Sequence, residues 1–183
     1  MDRAVDQAME VFWANGYAGT TPKRLTAELG IGSGSLYNAF ESKRALFERT
    51  LRRYYERESV RLIQVLDGPG APRERLRAAV DLVVDAARSD DGRGCMAANA
   101  AIEFGGRDQV VEHLVRRIFD RQEAAFRSTI EEGQRSGEIA ADVDAVAVAG
   151  LFLATINGIR VLAKADQSSP RLDIMAATAL RAL

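Results

Sequence analysis

Residues 21–47, TPKRLTAELGIGSGSLYNAFESKRALF, constrain the chain more than any other stretch, because two short helical patterns flank a glycine-rich turn. Thr21 is placed to cap a helix that Pro22 opens at no cost, since the N–H it lacks would have no intrahelical acceptor there. Leu25 and Leu29 recur four apart on one face, and Gly30 supplies the stop. Ile31 fills the corner, Ser33 offers a second cap, and Leu36 and Phe40 form the apolar stripe of the next helix. Ser35, Tyr37 and Asn38 lie outside that stripe, on a polar face directed at nothing internal.

A polar helix face of this kind suits a nucleic acid. Short or planar polar groups near a helix N-terminus reach phosphates and base edges in the major groove, and cations at the flanks reach phosphates. The expected DNA-binding set is therefore Lys23, Arg24, Ser33, Gly34, Ser35, Tyr37, Asn38 and Lys43. Gly34 and Ala39 offer no side-chain readout, which leaves room for recognition of DNA shape. The competing reading makes Tyr37 a packing residue and the charges a solvated face; Leu29, Ile31, Leu36 and Phe40 are taken as packing in either case.

The same residues resemble the TetR-type transcriptional regulators. The likeness runs from FWANGYAGTT through LTAELGIGSGSLYNAF to SKRALFERTL, about the first third of the chain, and is most specific at Leu36-Tyr37, Phe40 and Ser42-Lys43. The resemblance implies a homodimer that represses promoters on double-stranded operator DNA. It also implies release of that DNA when a small-molecule effector enters the C-terminal domain and changes the separation of two reading heads. Family members often carry a basic arm ahead of the first helix, and no arm contact is assigned to this chain, which starts abruptly at Met1.

The remaining segments all read as helix. Val5, Ala8, Met9, Phe12 and Trp13 recur helically before Gly16; Ser42 caps a long helix with Phe47, Leu51, Tyr54, Tyr55, Leu62, Ile63 and Leu66 inward, broken at Asp67-Gly68-Pro69-Gly70. Pro72 opens another, a polar loop spans Ser89 to Gly94, and a short helix runs from Cys95 to Phe104. Asp108 caps a helix ending at Gly137, Asp142 caps an apolar one, and Ser169-Pro170 starts the last. The expected fold is all-α: an N-terminal three-helix helix-turn-helix domain over 1–47, then a C-terminal helical ligand-binding and dimerisation bundle over 48–183.

Charge and composition narrow the function less. The net charge is -1, so bulk electrostatics do not announce a nucleic-acid partner, although residues 1–57 hold nine Lys/Arg against seven Asp/Glu. One cysteine makes no internal disulfide and no signal peptide is legible, which points to the cytoplasm. Ala145 to Ala163 approaches the length of a membrane span, but Asn157, Arg160 and two glycines make it a helix buried on most sides, touching a partner subunit, with no membrane partner.

Within the bundle, Phe119, Phe126, Phe152 and Ile156, with Phe104, are expected to wall an apolar pocket anchored by Asn157 or Arg160. Met96, Asn99 and Glu103 share a face of the short helix and complete the ligand-binding set, with core packing or a solvent-side hydrogen bond as the plainer alternative. Ala147, Gly150, Ala154 and Gly158 form a small-residue seam suited to a homodimer. Cys95 is read as structural, with redox sensing as the rival. No catalytic set, cofactor motif or metal spacing emerges, His113 being the only histidine, so an enzyme is not expected. A helical protein–protein adaptor without ligand control remains the other reading.

Overall fold

The computed structural model describes residues 2–89 and 92–183; Met1 and the Asp90-Asp91 part of the expected polar loop lie outside the described residues. The described residues form ten α-helices and no strand. They are α1 (Asp2–Asn15), α2 (Pro22–Leu29), α3 (Ser33–Phe40), α4 (Lys43–Tyr54), α5 (Val60–Leu66), α6 (Pro72–Ser89), α7 (Met96–Phe104), α8 (Gln109–Ser136), α9 (Ala145–Ala163) and α10 (Arg171–Leu180). A π-helical turn, Tyr55–Ser59, joins α4 to α5.

That π turn modifies the single long helix expected from the sequence. Buried positions run Phe47, Leu51, Tyr54, then Ser59, Leu62 and Leu66. The interval of five between Tyr54 and Ser59 does not fit α-helical spacing, and one turn with i→i+5 hydrogen bonds absorbs the extra residue.

Two compact units result, and both are discontinuous in sequence: Met1–Glu58 with Cys95–Ile118, and Ser59–Gly94 with Phe119–Leu183. The consecutive division at 47/48 thus differs from the packing, which assigns α7 and the first part of α8 to the unit holding the helix-turn-helix. Only contacts between residues far apart in sequence define such a unit.

The first unit is organised around aromatic side chains. Phe12 of α1 meets Phe47 of α4 edge-on at 5.1 Å between centroids, and Trp13 meets Tyr54 likewise at 5.1 Å. Leu25, Leu36, Phe40, Leu46 and Leu51 are buried beside them, each such side chain contributing about 1.5–3 kcal/mol of transfer free energy. At the rim, Arg53 donates to both carboxylate oxygens of Asp6, at 2.6 and 3.1 Å, and the hydrogen bond and charge of that guanidinium hold the Asp6 carboxyl below the usual range.

The second unit has a mainly aliphatic core built from α5, α6, α9 and α10 with the second part of α8, in which Leu62, Leu76, Val80, Val83, Ile159 and Leu172 are fully or almost fully buried. Phe126 and Phe152 stack at 5.2 Å inside it. Arg75 is the main polar exception: it donates to the Leu66 carbonyl at the end of α5 and pairs with Glu132 at 2.6 Å.

Two expected caps move. Asp144, not Asp142, accepts from the Val146 and Ala147 amides and starts α9, because Val143 closes a turn onto Ala140 first. Gly32, not Ser33, is the cap position of α3. The caps by Thr21, Ser42 and Asp108 stand where the sequence puts them. α9 is also less enclosed than expected. Its buried residues, Ala149, Phe152, Thr155, Ile156, Ile159 and Ala163, form one face only.

Candidate nucleic-acid interface

α3 is held by two buried anchors, Leu36 and Phe40, packed in the first unit. Gly30 makes the preceding turn at φ 64°, a left-handed conformation that glycine adopts without a Cβ clash, and the Ile31 amide returns to the Thr26 carbonyl at 3.1 Å. These local features fix α3 against α2. The rest of α3 is then free to face outward.

Ser33, Gly34, Ser35, Tyr37 and Asn38 are all exposed, Tyr37 at 43% of its surface. Since Ser33 is the first helical residue and Gly32 provides no side chain, the first-turn amides of α3 have no side-chain cap. A Cβ placed on Gly34 would meet nothing within 4 Å, so no neighbour in the chain requires glycine there. Glycine in a helix costs about 0.5–1 kcal/mol relative to alanine, and close approach of an external backbone is what would use it.

The three cations differ in their engagement. Lys23 is exposed. Arg24 is exposed too, its Nη1 donating to Asn15 Oδ1 at 2.6 Å. Lys43 is half-buried: its ammonium donates to the carbonyls of Tyr17 and Thr20 at 2.8 and 2.9 Å and lies 4.0 Å from the Tyr17 ring centroid. Besides any phosphate contact, Lys43 therefore holds the loop between α1 and α2. Tyr17 was absent from the expected site, and its only sequence signal is its place directly after the Gly16 stop.

The seven residues expected to bind ligand are divided. Met96, Asn99 and Glu103 belong to the first unit, and Phe119, Phe126, Phe152 and Ile156 to the second. Phe126, Phe152 and Ile156 are fully buried core residues, Phe119 is half-buried, and Met96 is buried. Glu103 departs furthest from expectation, because its two carboxylate oxygens accept from the Tyr17 and Ala18 amides. Missed by the sequence reading is Gln122, buried in the second unit. Its Nε2 reaches Ser59 Oγ at 3.4 Å while its Oε1 meets no donor among the described residues. Cys95 is buried at the cap of α7, its sulfur accepting from the Ala98 amide at 3.4 Å and from the Tyr54 hydroxyl at 3.5 Å.

Known proteins with the same features are regulators. Residues 4–50 match the family model for bacterial regulatory proteins of the tetR family, and residues 72–179 match the tetracyclin repressor-like C-terminal domain. The HTH-type transcriptional repressor DhaR of Mycobacterium sp. (strain GP1) is 28% identical over 170 residues, covering 92% of this chain and 84% of that protein. A cysteine-substituted TetR family regulator CifR, solved with a 26bp double-strand operator DNA, superposes with a TM-score of 0.88 at 31% identity, covering 99% of this chain and 95% of that one. A TetR regulator from Chloroflexus aurantiacus J-10-FL gives the same TM-score at 28% identity, with 98% and 91% covered. With residues 4–50 and 72–179 both matched, the chain belongs to the TetR family of DNA-binding transcriptional regulators.

Proposed function

We propose that this protein is a cytoplasmic, homodimeric transcriptional repressor that reads operator DNA with α3 and releases it when a small apolar effector binds the C-terminal unit. The observation that carries the DNA reading is the exposed face Ser33-Gly34-Ser35 with Tyr37 and Asn38, mounted on buried Leu36 and Phe40 and containing a glycine that nothing internal requires. Lys23, Arg24 and Lys43 supply phosphate contacts at its edges. DhaR, named a repressor, and CifR, solved on operator DNA, support the same reading.

The outer face of α9 and α10 supports the dimer reading. Val146, Leu151, Val161 and Ile174 are exposed at 53%, 45%, 49% and 63%, around the small residues Ala147, Gly150, Ala154 and Gly158. Apolar residues of this size in one stripe need a cover. A second copy of the chain covers it symmetrically and presents two α3 helices to grooves about 34–36 Å apart.

The effector reading rests on the second unit's apolar interior, where Phe126 and Phe152 stack and Gln122 keeps an amide oxygen without a donor among the described residues. A buried acceptor of that kind in an apolar surround suits an apolar ligand bearing one polar group. Cys95 supports no redox reading, since its buried sulfur caps α7.

Selection of duplexes from a random pool by the full-length protein tests the first claim: enrichment of an inverted repeat is expected, and no enrichment would refute it. For the effector, compounds that raise the thermal midpoint are then tested for release of the selected duplex, because coupling between two ligands is reciprocal. A stabilising compound that leaves DNA affinity untouched is not the effector.

A further inference from the structure

We propose that Glu103, on α7 and outside the helix-turn-helix, is a positioning residue for DNA reading, acting through the loop Gly16–Thr20 that sets the start of α2. The proposal rests on the DNA-binding role of α3. Its geometry is independent of that role. Tyr17 N–H donates to Glu103 Oε2 at 2.8 Å and Ala18 N–H to Oε1 at 2.5 Å, so one carboxylate receives two consecutive backbone amides from 86 and 85 residues away. Hydrogen bonds to an ionised acceptor are roughly twice as strong as neutral ones.

Gly16 makes this possible. Its φ of 71° turns the following amides toward a common acceptor, and a Cβ at that position would press to 3.1 Å from Glu103 Oε2. The opposite polarity of the loop is held by Lys43, whose ammonium takes the carbonyls of Tyr17 and Thr20. Donors are thus gripped by an anion and acceptors by a cation. Phe104, next to Glu103, packs at 5.0 Å from the Tyr17 ring and 5.3 Å from Phe47, and the Thr20 hydroxyl closes the loop onto the Gly16 carbonyl at 2.7 Å. Immediately afterwards Thr21 caps α2.

The consequence is that a residue outside the helix-turn-helix fixes the register of α2, the helix against which α3 packs. Glu103→Ala removes both acceptors. Glu103→Gln keeps one oxygen but sets an NH2 group against a backbone N–H, so it breaks half of the clamp with little change of shape. It also serves where the alanine variant fails to fold.

The test uses full-length protein and a duplex selected from a random pool by the parent. Amide exchange at Tyr17 and Ala18 should accelerate about tenfold in Glu103→Gln. Affinity for the selected duplex should fall about tenfold while the slope of log affinity against log salt stays that of the parent, because no phosphate contact is lost. Faster exchange with unchanged DNA affinity would overturn the proposal, as would a changed salt slope. A parent that enriches no duplex would overturn the underlying DNA reading as well, and the exchange data, which need no DNA, tell that failure apart.

Discussion

The two units of this protein are stabilised in different ways. In the first, polar contacts of fixed direction join elements far apart in sequence: Lys43 and Glu103 on the α1–α2 loop, Arg53 on Asp6, and Arg44 on Asp108, the cap of α8. The second has such bridges too, Arg73 to Glu138, Arg75 to Glu132 and Arg88 to Asp173, but its core is aliphatic apart from the Phe126–Phe152 stack, and α9 leaves a second apolar face outside it. Hydrophobic contact is non-directional, whereas charge-assisted hydrogen bonds fix orientation. Directional contacts of the first kind fix how α3 is presented, while the second unit leaves apolar surface outside its core.

The comparison breaks most visibly in the second unit. Phe152→Ala removes a fully buried ring stacked on Phe126 and should cost about 3–5 kcal/mol, read as a lower denaturation midpoint. A loss under about 1 kcal/mol would mean that this core is loosely packed. Ala154→Arg places a charge at an exposed position of α9 and should weaken self-association by roughly 3 kcal/mol, or about a hundredfold. Sedimentation that shows an unchanged dimer would move the interface elsewhere.

Smaller effects sharpen the first unit. Gly34→Ala should stabilise the free protein by about 0.5–1 kcal/mol and yet weaken DNA binding, because the glycine serves an external approach and meets nothing internal. Stabilisation without loss of affinity would remove Gly34 from the interface. Asp6→Asn should cost less than about 1 kcal/mol near neutrality, as expected of a rim ion pair. Since the folded-state pKa of Asp6 is lowered, its contribution is present above the unfolded carboxylate value, about 3.9, and is lost as pH falls through the folded one. The gap in thermal midpoint between parent and variant should therefore close in acid and persist at pH 7; a gap that widens in acid has the wrong sign.

Local chemistry made the helix-turn-helix legible. The Thr21 and Ser42 caps, the Gly30 stop and the Leu36 and Phe40 anchors each involve residues a few positions apart, where spacing determines geometry. The clamp on the α1–α2 loop was not legible, because Glu103 lies 86 residues from Tyr17 and only the fold brings them together. Hence spacing leaves its carboxylate between a ligand contact and a solvent-side hydrogen bond. The π turn escaped because an extra residue in a helix looks like imperfect periodicity until the hydrogen bonds are seen. Choosing Asp142 over Asp144 reflects two equivalent cap residues two positions apart, which the turn at Val143 resolves.

The claim that α3 reads DNA is tested most directly by the affinities of parent and Tyr37→Ala for the selected duplex and a scrambled one, over a range of salt. Affinity of the parent for both should fall steeply with salt, and Tyr37→Ala should lose about 1–3 kcal/mol on the selected duplex with little change on the scrambled one. Equal affinities of parent and variant for the selected duplex at every salt concentration would contradict it.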